Sequence, residues 1–231
     1  MSQPPPPPPP PPSDSWPPPS PPPGADGEFR VGDAISYGWT AYWQHVAPLL
    51  VLTFIIAVAN VIFGLIGSGI SGAGGRILLQ LISLIVGIIL AMGLIRASLA
   101  VVEGREASPS MILETDGFGP YLVAAILVAI GVTIGFILLI IPGIILTILW
   151  LFFGYVIVEN PTTGPVDAMR RSAEITRGHR WQLLGLGLLL IGINILGFLA
   201  CCVGALFTYG ITAVTVAYTY KTLSGQPVAA V

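Results

Sequence analysis

The feature that most constrains the fold is an apolar stretch from Tyr121 to Val158 that contains no charged residue. As a helix it would be about 57 Å long at 1.5 Å per residue, whereas the hydrocarbon core of a bilayer is about 30 Å thick. The stretch is therefore too long for one membrane crossing. It is divided at Pro142 and Gly143, which indicates either a tight turn between two spans or a kink within one span.

The composition of the whole chain indicates an integral membrane protein. It is 54% hydrophobic and only 9% charged, whereas ordinary soluble domains are about 25% charged. The two cysteines, Cys201 and Cys202, are adjacent in an apolar context and report nothing about the redox compartment. Basic residues are too few and too local for a nucleic-acid footprint, so no nucleic-acid partner is expected.

The apolar segments predict an all-α integral membrane protein with six transmembrane helices. The spans cover about 46-67, 77-95, 121-141, 143-158, 181-200 and 204-220. Six spans put eight basic residues on one side and Arg76 alone on the other. The positive-inside rule then places both termini in the cytoplasm. If Pro142 were a kink within one span, the chain would have five spans, and Arg170, Arg171, Arg177 and Arg180 would lie on the other side of the membrane. The charge distribution therefore favours a turn at Pro142 and an arrangement of three hairpins.

The N-terminal segment has a different character from the membrane domain. Residues 1-28 form a low-complexity, proline-rich tail, and Pro4 to Pro12 is an unbroken proline run. Proline lacks the amide donor and fixes φ, so this tail is expected to be disordered and cytoplasmic, with polyproline II character. It is either a stiff spacer or the docking site of a protein partner. The membrane domain then covers 29-223, and 224-231 is a short C-terminal tail.

Two segments outside the spans are expected to be short helices at the membrane surface. Residues 31-45 carry four aromatic side chains beside an apolar span, which is typical of an interfacial helix at the headgroup level; an aromatic ligand pocket is the alternative. These side chains are Tyr37, Trp39, Tyr42 and Trp43. Ser108 followed by Pro109 predicts the start of a second short helix through Leu113, with Ser108 as its N-cap.

The basic segment from Glu159 to Trp181 is the candidate interaction surface. It holds Arg170, Arg171, Arg177 and Arg180, almost half of the nine basic residues. As a helix it would place a stripe of Val166, Met169, Ala173 and Thr176 on the membrane, with the arginines beside it. Each arginine near anionic headgroups contributes on the order of 1 kcal/mol. The segment is either a topology determinant only, or a contact for anionic lipids or a protein partner that also uses Trp181.

Within the predicted spans there is no charged residue and no histidine. Ion-coupled transporters and proton pumps generally need such groups near the midplane, so their absence argues against that class. Asn60 and Asn194 are the candidate polar intramembrane contacts, interpreted as hydrogen-bonding groups between packed helices. Two small-residue pairs, Gly131 with Gly135 and Gly87 with Ala91, predict close helix packing.

No catalytic, cofactor-binding or metal-binding constellation is recognised in the sequence. The two histidines, His45 and His179, each lie at a membrane edge, and no cluster has metal-ligand spacing. Glu159, at the inner end of the fourth span, is expected to pair with a nearby arginine, and it has no visible partner for general acid chemistry. The chain is therefore expected to be non-enzymatic and to need no cofactor.

One part of the sequence resembles a known family. The run IIPGIILTILWLFFGYVIVEN followed by GPVDAMRRSAEITRGHRW is similar to an uncharacterised bacterial membrane superfamily that includes the membrane domain of some glycerophosphodiester phosphodiesterases. The matching positions are Pro142, Gly143, Glu159, Ala168, Arg171, Ser172, Gly178 and Trp181. The proline-rich tail and the eight arginines against one lysine resemble the proline- and glycine-rich transmembrane proteins of actinobacteria, mycobacteria among them. The resemblance implies a multi-pass protein of the bacterial plasma (inner) membrane, and it carries no hydrolase activity to this chain.

These observations predict a membrane scaffold or accessory factor that uses the proline-rich tail and the basic helix. The alternative is a small-solute or lipid transporter, or a permease component, and an oligomer is compatible with either. A hydrophilic cavity lined by Asn60 and Asn194 would favour transport, whereas a dry, tightly packed bundle would favour the scaffold. The expected partners are the lipid bilayer, anionic lipids in particular, and a protein bound to the tail.

Overall fold

The computed structural model describes residues 29–200 and 202–230, and this part of the chain is helical with no β-strand. The proline-rich tail predicted to be disordered, together with Cys201, lies outside the described residues. The helices run in the order α1 (Val31–Gln44), α2 (Val46–Gly69), α3 (Ala73–Val102), a 3₁₀ helix (Pro109–Leu113), α4 (Phe118–Leu138), α5 (Ile140–Leu149), α6 (Phe153–Glu159), α7 (Pro165–Ile175), α8 (Arg180–Leu199) and α9 (Cys202–Leu223).

Five helical segments within the described residues are long and apolar enough to cross a membrane. They are Val46–Gly69, Ala73–Val102, Phe118–Leu138, Ile140–Glu159 and Arg180–Leu199. The sixth predicted stretch, 204-220, lies inside α9, which is helical but does not belong to that set of five. Helix α3, which corresponds to the second predicted span, is longer than predicted, because it begins before Arg76 and continues well past Arg96.

The chain reverses direction at Leu139, three residues before the predicted position at Pro142. Leu139 has an extended backbone, with φ −165° and ψ 151°, and it separates α4 from α5. Pro142 lies in the first turn of α5, where proline is tolerated because the amides there have no intrahelical acceptor. The break is thus a turn between two helices and not a kink, and α5 returns along α4.

Glycine packing holds α4 and α5 together. A Cβ atom on Gly131 would lie 2.5 Å from the Trp150 ring, and one on Gly135 would lie 3.0 Å from the Cα of Gly143. The predicted close packing at this pair is confirmed. The same prediction for Gly87 is wrong, because no described atom lies within 4 Å of a Cβ placed there.

Helix α9 is the centre of the bundle, and α1 packs directly on it. Tyr37 stacks on Tyr218 with ring centroids 4.3 Å apart, and a Cβ atom on Gly38 would collide with Thr215. Of the four aromatic residues predicted to lie at the headgroup level, Tyr37 and Tyr42 are therefore core residues of α1. Trp39 and Trp43 are about half exposed.

A short helix at the second of the two segments outside the spans is confirmed, with a small change of type. Residues Pro109–Leu113 form a 3₁₀ helix, and the Ser108 hydroxyl accepts a hydrogen bond from the amide of Ser110 at 3.4 Å. Ser108 is thus the N-cap, as its position before a proline indicates. The helix packs against the C-terminal half of α3, where a Cβ on Gly93 would lie 2.7 Å from the Cα of Ile112.

Candidate functional site

The C-terminal ends of three helices meet at one end of the bundle and bring charged side chains together there. Glu103 is the C-cap of α3, Glu159 is the last residue of α6, and Lys221 lies in the last turn of α9. A helix C-terminus carries a partial negative charge, and two carboxylates add to it. This end of the bundle therefore requires cations, and Lys221 supplies one at the centre.

Lys221 is only 4% exposed and is fully engaged by polar partners. Its ammonium lies 2.6 Å from a carboxylate oxygen of Glu103, and it donates hydrogen bonds to Gln226 Oε1 at 2.6 Å and to Glu159. Burial lowers the pKa of Lys221, but the hydrogen bonds to Glu103 and Glu159 outweigh burial and leave the pKa above its usual value. The lysine is consequently held in its charged form.

Glu159 pairs with a lysine, and the predicted arginine partner is wrong. Besides the Lys221 ammonium, its carboxylate accepts hydrogen bonds from the Tyr220 hydroxyl at 2.5 Å and from the Gln226 amide at 3.1 Å. The Tyr220 ring is fixed in turn by stacking on Tyr155, with centroids 5.3 Å apart. Each partner limits the position of the carboxylate, so Glu159 is rigidly placed.

Glu103 is the second carboxylate of this network. It accepts a hydrogen bond from Arg105 Nε at 2.8 Å in addition to the contact with Lys221. Burial raises the pKa of Glu103, but the hydrogen bonds from Lys221 and Arg105 outweigh burial and bring the pKa below its usual value. We refer to Glu103, Arg105, Glu159, Tyr220, Lys221 and Gln226 as the helix-end cluster.

A cavity of about 310 Å³ adjoins the helix-end cluster. Arg96 lines it and is nearly buried; its guanidinium donates to the backbone carbonyls of Asp116, at 2.7 Å, and Glu114. Arg96, Arg105 and Lys221 are thus three cations at this end of the bundle. They face the three carboxylates of Glu103, Glu114 and Glu159. This balanced set can hold helix ends together through ion pairs. Among the described residues, no group of three His, Cys, Asp or Glu side chains is placed to hold a metal ion.

The C-terminal segment closes over the cluster. The amide of Ala229 donates to the carbonyl of Val102 at 2.9 Å, and the carbonyl of Ala229 accepts from the Tyr37 hydroxyl at 3.0 Å. Gln226 reaches from the same segment to Lys221 and Glu159. Residues after α9 thus connect α1, α3 and α6, which the sequence did not indicate for a short polar tail.

The basic helix α7 packs on the bundle through small residues, and Thr176, a member of the stripe predicted to lie on the membrane, is buried with them just after the helix ends. Ala168, Ser172 and Thr176 are fully buried, whereas Val166 is half exposed. The Ser172 hydroxyl donates to the carbonyl of Leu149 at 2.8 Å and accepts from the amide of Phe152 at 3.0 Å. It therefore satisfies backbone groups at the interruption between α5 and α6, where no intrahelical partner is available.

The predicted contact residues of this segment all lie at the surface. Arg170, Arg171, Arg177 and Arg180 are exposed, and Trp181 at the start of α8 is 84% exposed. Arg170 lies 3.9 Å from Asp167, one helical turn away, in an exposed pair of low energetic value. The structure thus separates a buried, small-residue face of α7 from an exposed basic face.

Asn60 and Asn194 line the same cavity. It has a volume of about 530 Å³ and lies between α2, α8 and α9. The amide of Asn194 donates to the carbonyl of Leu190 and to the Thr212 hydroxyl, both at 2.8 Å, and so connects α8 with α9. Within the described part of the chain, the amide of Asn60 donates only to its own helix, to the carbonyl of Ile56 at 2.8 Å. Thr53 and Tyr209 complete the polar lining, and the sequence had not singled them out.

A helical fold with several apolar helices and charged side chains at the helix ends is compatible with the class of multi-pass α-helical membrane proteins. Within that class, the chain belongs to the family described as "Protein of unknown function (DUF975)", which matches residues 77–226. The match covers α4 to α9 completely, together with most of α3.

Two mycobacterial proteins are similar over most of the chain. "Uncharacterized protein Rv2560" of Mycobacterium tuberculosis is 28% identical over 229 residues, which covers 87% of this chain and 70% of that protein. "Uncharacterized protein Mb2590" of Mycobacterium bovis has the same identity and coverage. No solved structure matches the chain. These relatives agree with the resemblance to mycobacterial proteins, whereas the relation to the phosphodiesterase membrane domain stays a prediction.

Proposed function

We propose that this chain is a six-span protein of the bacterial plasma membrane that acts as a non-enzymatic scaffold or accessory factor. In this arrangement three helical hairpins form the membrane domain, and both termini face the cytoplasm. The proline-rich tail and the exposed basic face of α7 then lie on the same side of the membrane. They form a composite surface for a cytoplasmic partner and for anionic lipid headgroups.

The helix-end cluster supports the six-span topology. In a six-span chain the second, fourth and sixth spans end on the same side of the membrane. Glu103, Glu159 and Lys221 mark the C-terminal ends of α3, α6 and α9, and their side chains are in contact. In α3 the twenty residue steps from Arg76 to Arg96 also correspond to about 30 Å of helix, the thickness of the hydrocarbon core.

The observation that carries the scaffold proposal is the division of α7 into two faces. Two hydrogen bonds of the Ser172 hydroxyl hold the small-residue face of α7 on the bundle. A rotation of the helix that buried its arginines would break both bonds. Arg170 and Arg171 on α7 remain exposed. Arg177 in the following turn and Arg180 and Trp181 at the start of α8 extend this exposed basic surface. Arginine and tryptophan are enriched in interaction hot spots, and a fixed display lowers the entropic cost of binding.

The test compares in-membrane cross-linking of four forms of the protein in its native host, one of which is a control. One form is intact, one lacks residues 1-27, and one carries Arg→Gln at 170, 171, 177 and 180. Arg76→Gln is the control, because Arg76 lies at the start of α3, which the proposed topology places on the opposite side of the membrane from the basic surface. We expect the control to keep the cross-linked proteins of the intact form, whereas the tail deletion and the fourfold variant lose a shared subset. An identical set in all four forms would refute the scaffold.

A second candidate function is transport of a small solute or lipid. The observation that favours it is the cavity that contains both Asn60 and Asn194 between α2, α8 and α9. The test is the movement of a fluorescent phospholipid between leaflets of proteoliposomes, compared with protein-free vesicles. Equal rates in both preparations would remove lipid transport as a candidate.

A further inference from the structure

One face of α2 lines two cavities, which share Asn60 as a lining residue. The first cavity is the one between α2, α8 and α9, and its α2 lining is Thr53, Ile56, Ala57 and Asn60. These positions follow a spacing of three and four residues, so they share one face of the helix. Asn60, at the end of this row, also lines the second cavity.

The second cavity continues the same row along α2 and faces α3. It has a volume of about 370 Å³, and Phe63, Gly64 and Gly67 continue the α2 lining beyond Asn60. We refer to the two cavities together as the α2 groove. From Thr53 to Gly67 the groove extends about 21 Å along the helix axis, which exceeds half of a hydrocarbon core of about 30 Å.

The two ends of the groove differ in chemistry. Beside α8 and α9 the lining is mostly hydrocarbon and aromatic, from residues such as Phe198 and Leu206. Beside α3 the lining includes Arg76, Gln80 and Ser83, which succeed one another on one face of that helix. The groove therefore offers a cation and polar groups at the membrane edge and an apolar channel towards the middle.

Among the residues that the structure describes, the polar end has no acidic counterpart. The sequence contains no Asp or Glu between Asp33 and Glu103. Arg76 donates from Nε to the carbonyl of Ile70 at 2.9 Å, and no described carboxylate forms an ion pair with it. No described residue hydrogen-bonds to the side chains of Gln80 or Ser83. Polar groups below the membrane edge need partners, because hydrocarbon supplies none.

We propose that the α2 groove binds one anionic phospholipid of the leaflet at the Arg76 end. Its phosphate lies at Arg76, its polar backbone lies beside Gln80 and Ser83, and one acyl chain follows the α2 face past Asn60 towards Tyr209. The negative headgroup complements a cation without an acidic partner, and the acyl chain fills an apolar cavity that is open to lipid.

This site goes beyond the cytoplasmic scaffold, because it lies at the opposite end of α3 and uses none of the same residues. It gives a ligand class to the second candidate function without requiring transport. Binding of a lipid and its movement between leaflets are measured separately, so either can fail while the other holds.

The test is photo-cross-linking of the full chain in nanodiscs of phosphatidylcholine. The probe is a trace of phosphatidylglycerol with a diazirine in its acyl chain, and adducts are mapped by mass spectrometry. We expect adducts on the groove face of α2 and on Tyr209. Unlabelled phosphatidylglycerol should displace the probe, and unlabelled phosphatidylcholine should not. This arm uses the unchanged protein and is independent of any variant's folding.

Two variants and their matched controls locate the headgroup and the acyl chain of the bound lipid. Arg76→Gln should lower groove labelling about fivefold, because one cation near the headgroup is removed, whereas its control Arg76→Lys, which keeps the positive charge, should retain most of the labelling. Gly64→Leu should narrow the channel, since a Cβ at Gly64 meets no side chain and no other part of the backbone within 4 Å, and the same holds for its control Gly185→Leu. Labelling spread evenly over the lipid-facing helices, or equal displacement by both lipids, would overturn the proposal. So would equal labelling of each variant and its control.

Discussion

The ammonium of Lys221 lies 2.6 Å from the carboxylate of Glu103, and this contact ties the end of α9 to the end of α3. Lys221 is the single lysine of the chain, and it is placed where the negative ends of three helices converge. Its position explains how carboxylates can lie at helix C-termini, where they are ordinarily unfavourable.

Replacing Lys221 by methionine should strongly destabilise the bundle. The change keeps most of the side-chain volume but leaves Glu103 and Glu159 facing each other without the central cation. Breaking a buried ion pair by removing one partner costs about 3–5 kcal/mol. The measurement is the free energy of unfolding in mixed micelles, from a titration with sodium dodecyl sulfate.

The matched control is Arg170→Met, which removes an exposed arginine that lies 3.9 Å from Asp167. An exposed pair contributes about 0–1 kcal/mol, so this variant should unfold almost as the unchanged protein does. Adding Glu159→Gln to Lys221→Met should recover part of the loss, because one uncompensated carboxylate is then removed. Equal effects of Lys221→Met and Arg170→Met would show that the helix-end cluster contributes little to stability.

Stability should be constant at neutral pH and fall at both extremes. The pKa of Glu103 is lower in the folded protein than its usual value of 4.5, so its contribution is present above that value and is lost as the pH falls through the lowered pKa. The pKa of Lys221 is above its usual value of 10.5, so its contribution is present below that value and is lost as the pH rises through the raised pKa.

The measurement for this pH dependence is the thermal midpoint of the purified protein in a non-ionic detergent, recorded as a function of pH. Glu103→Gln removes one titrating group of the cluster. It should therefore reduce the loss of stability at acid pH. The loss at alkaline pH should remain, because Lys221 still titrates beside Glu159. An unchanged acid profile in this variant would contradict the role assigned to Glu103.

Replacing Ser172 by alanine should loosen α7. The variant leaves the amide of Phe152 and the carbonyl of Leu149 without their side-chain partner in a buried position, which costs about 1–3 kcal/mol. Ser36→Ala, at an exposed position of α1, should change stability by less than about 0.5 kcal/mol. Hydrogen exchange provides the specific readout, because faster exchange should appear in α7 and around Phe152 but not in α1.

Much of the helical architecture follows from the sequence because it depends on local composition. Long apolar stretches predict helices, and Ser108 before Pro109 predicts a capped short helix, since both signals depend on neighbouring residues. The turn at Leu139 lies close to the predicted break for the same reason. Its position differs because a proline can begin a helix as well as end one.

The helix-end cluster could not be predicted, because it joins residues that are far apart in sequence. Glu159 and Gln226 are separated by 67 positions, and nothing near either residue indicates the other. A usable signal existed: Glu103, Glu159 and Lys221 each follow an apolar stretch, and in a six-span chain these stretches end on one side. The face of α7 that packs on the bundle was not predicted either, because Ala168 and Ser172 are too small to stand out in a hydrophobic pattern.

Replacing Gly131 by alanine tests the close approach of α4 and α5. The new Cβ would lie 2.5 Å from the Trp150 ring, so the ring must move, and overpacking of this kind costs about 1–3 kcal/mol. The better helix propensity of alanine offsets up to about 1 kcal/mol of that cost. The unfolding free energy in mixed micelles should therefore fall, and adding Trp150→Leu should restore part of it by making room.

Gly87→Ala in α3 is the control, because no described atom lies within 4 Å of a Cβ at that position. It gains the same helix propensity without a collision, so it should be neutral or slightly stabilising. The difference between the two variants isolates the contact with Trp150 from the general effect of replacing glycine in a helix. Equal stabilities of Gly131→Ala and Gly87→Ala would mean that α4 and α5 can separate at this point without loss.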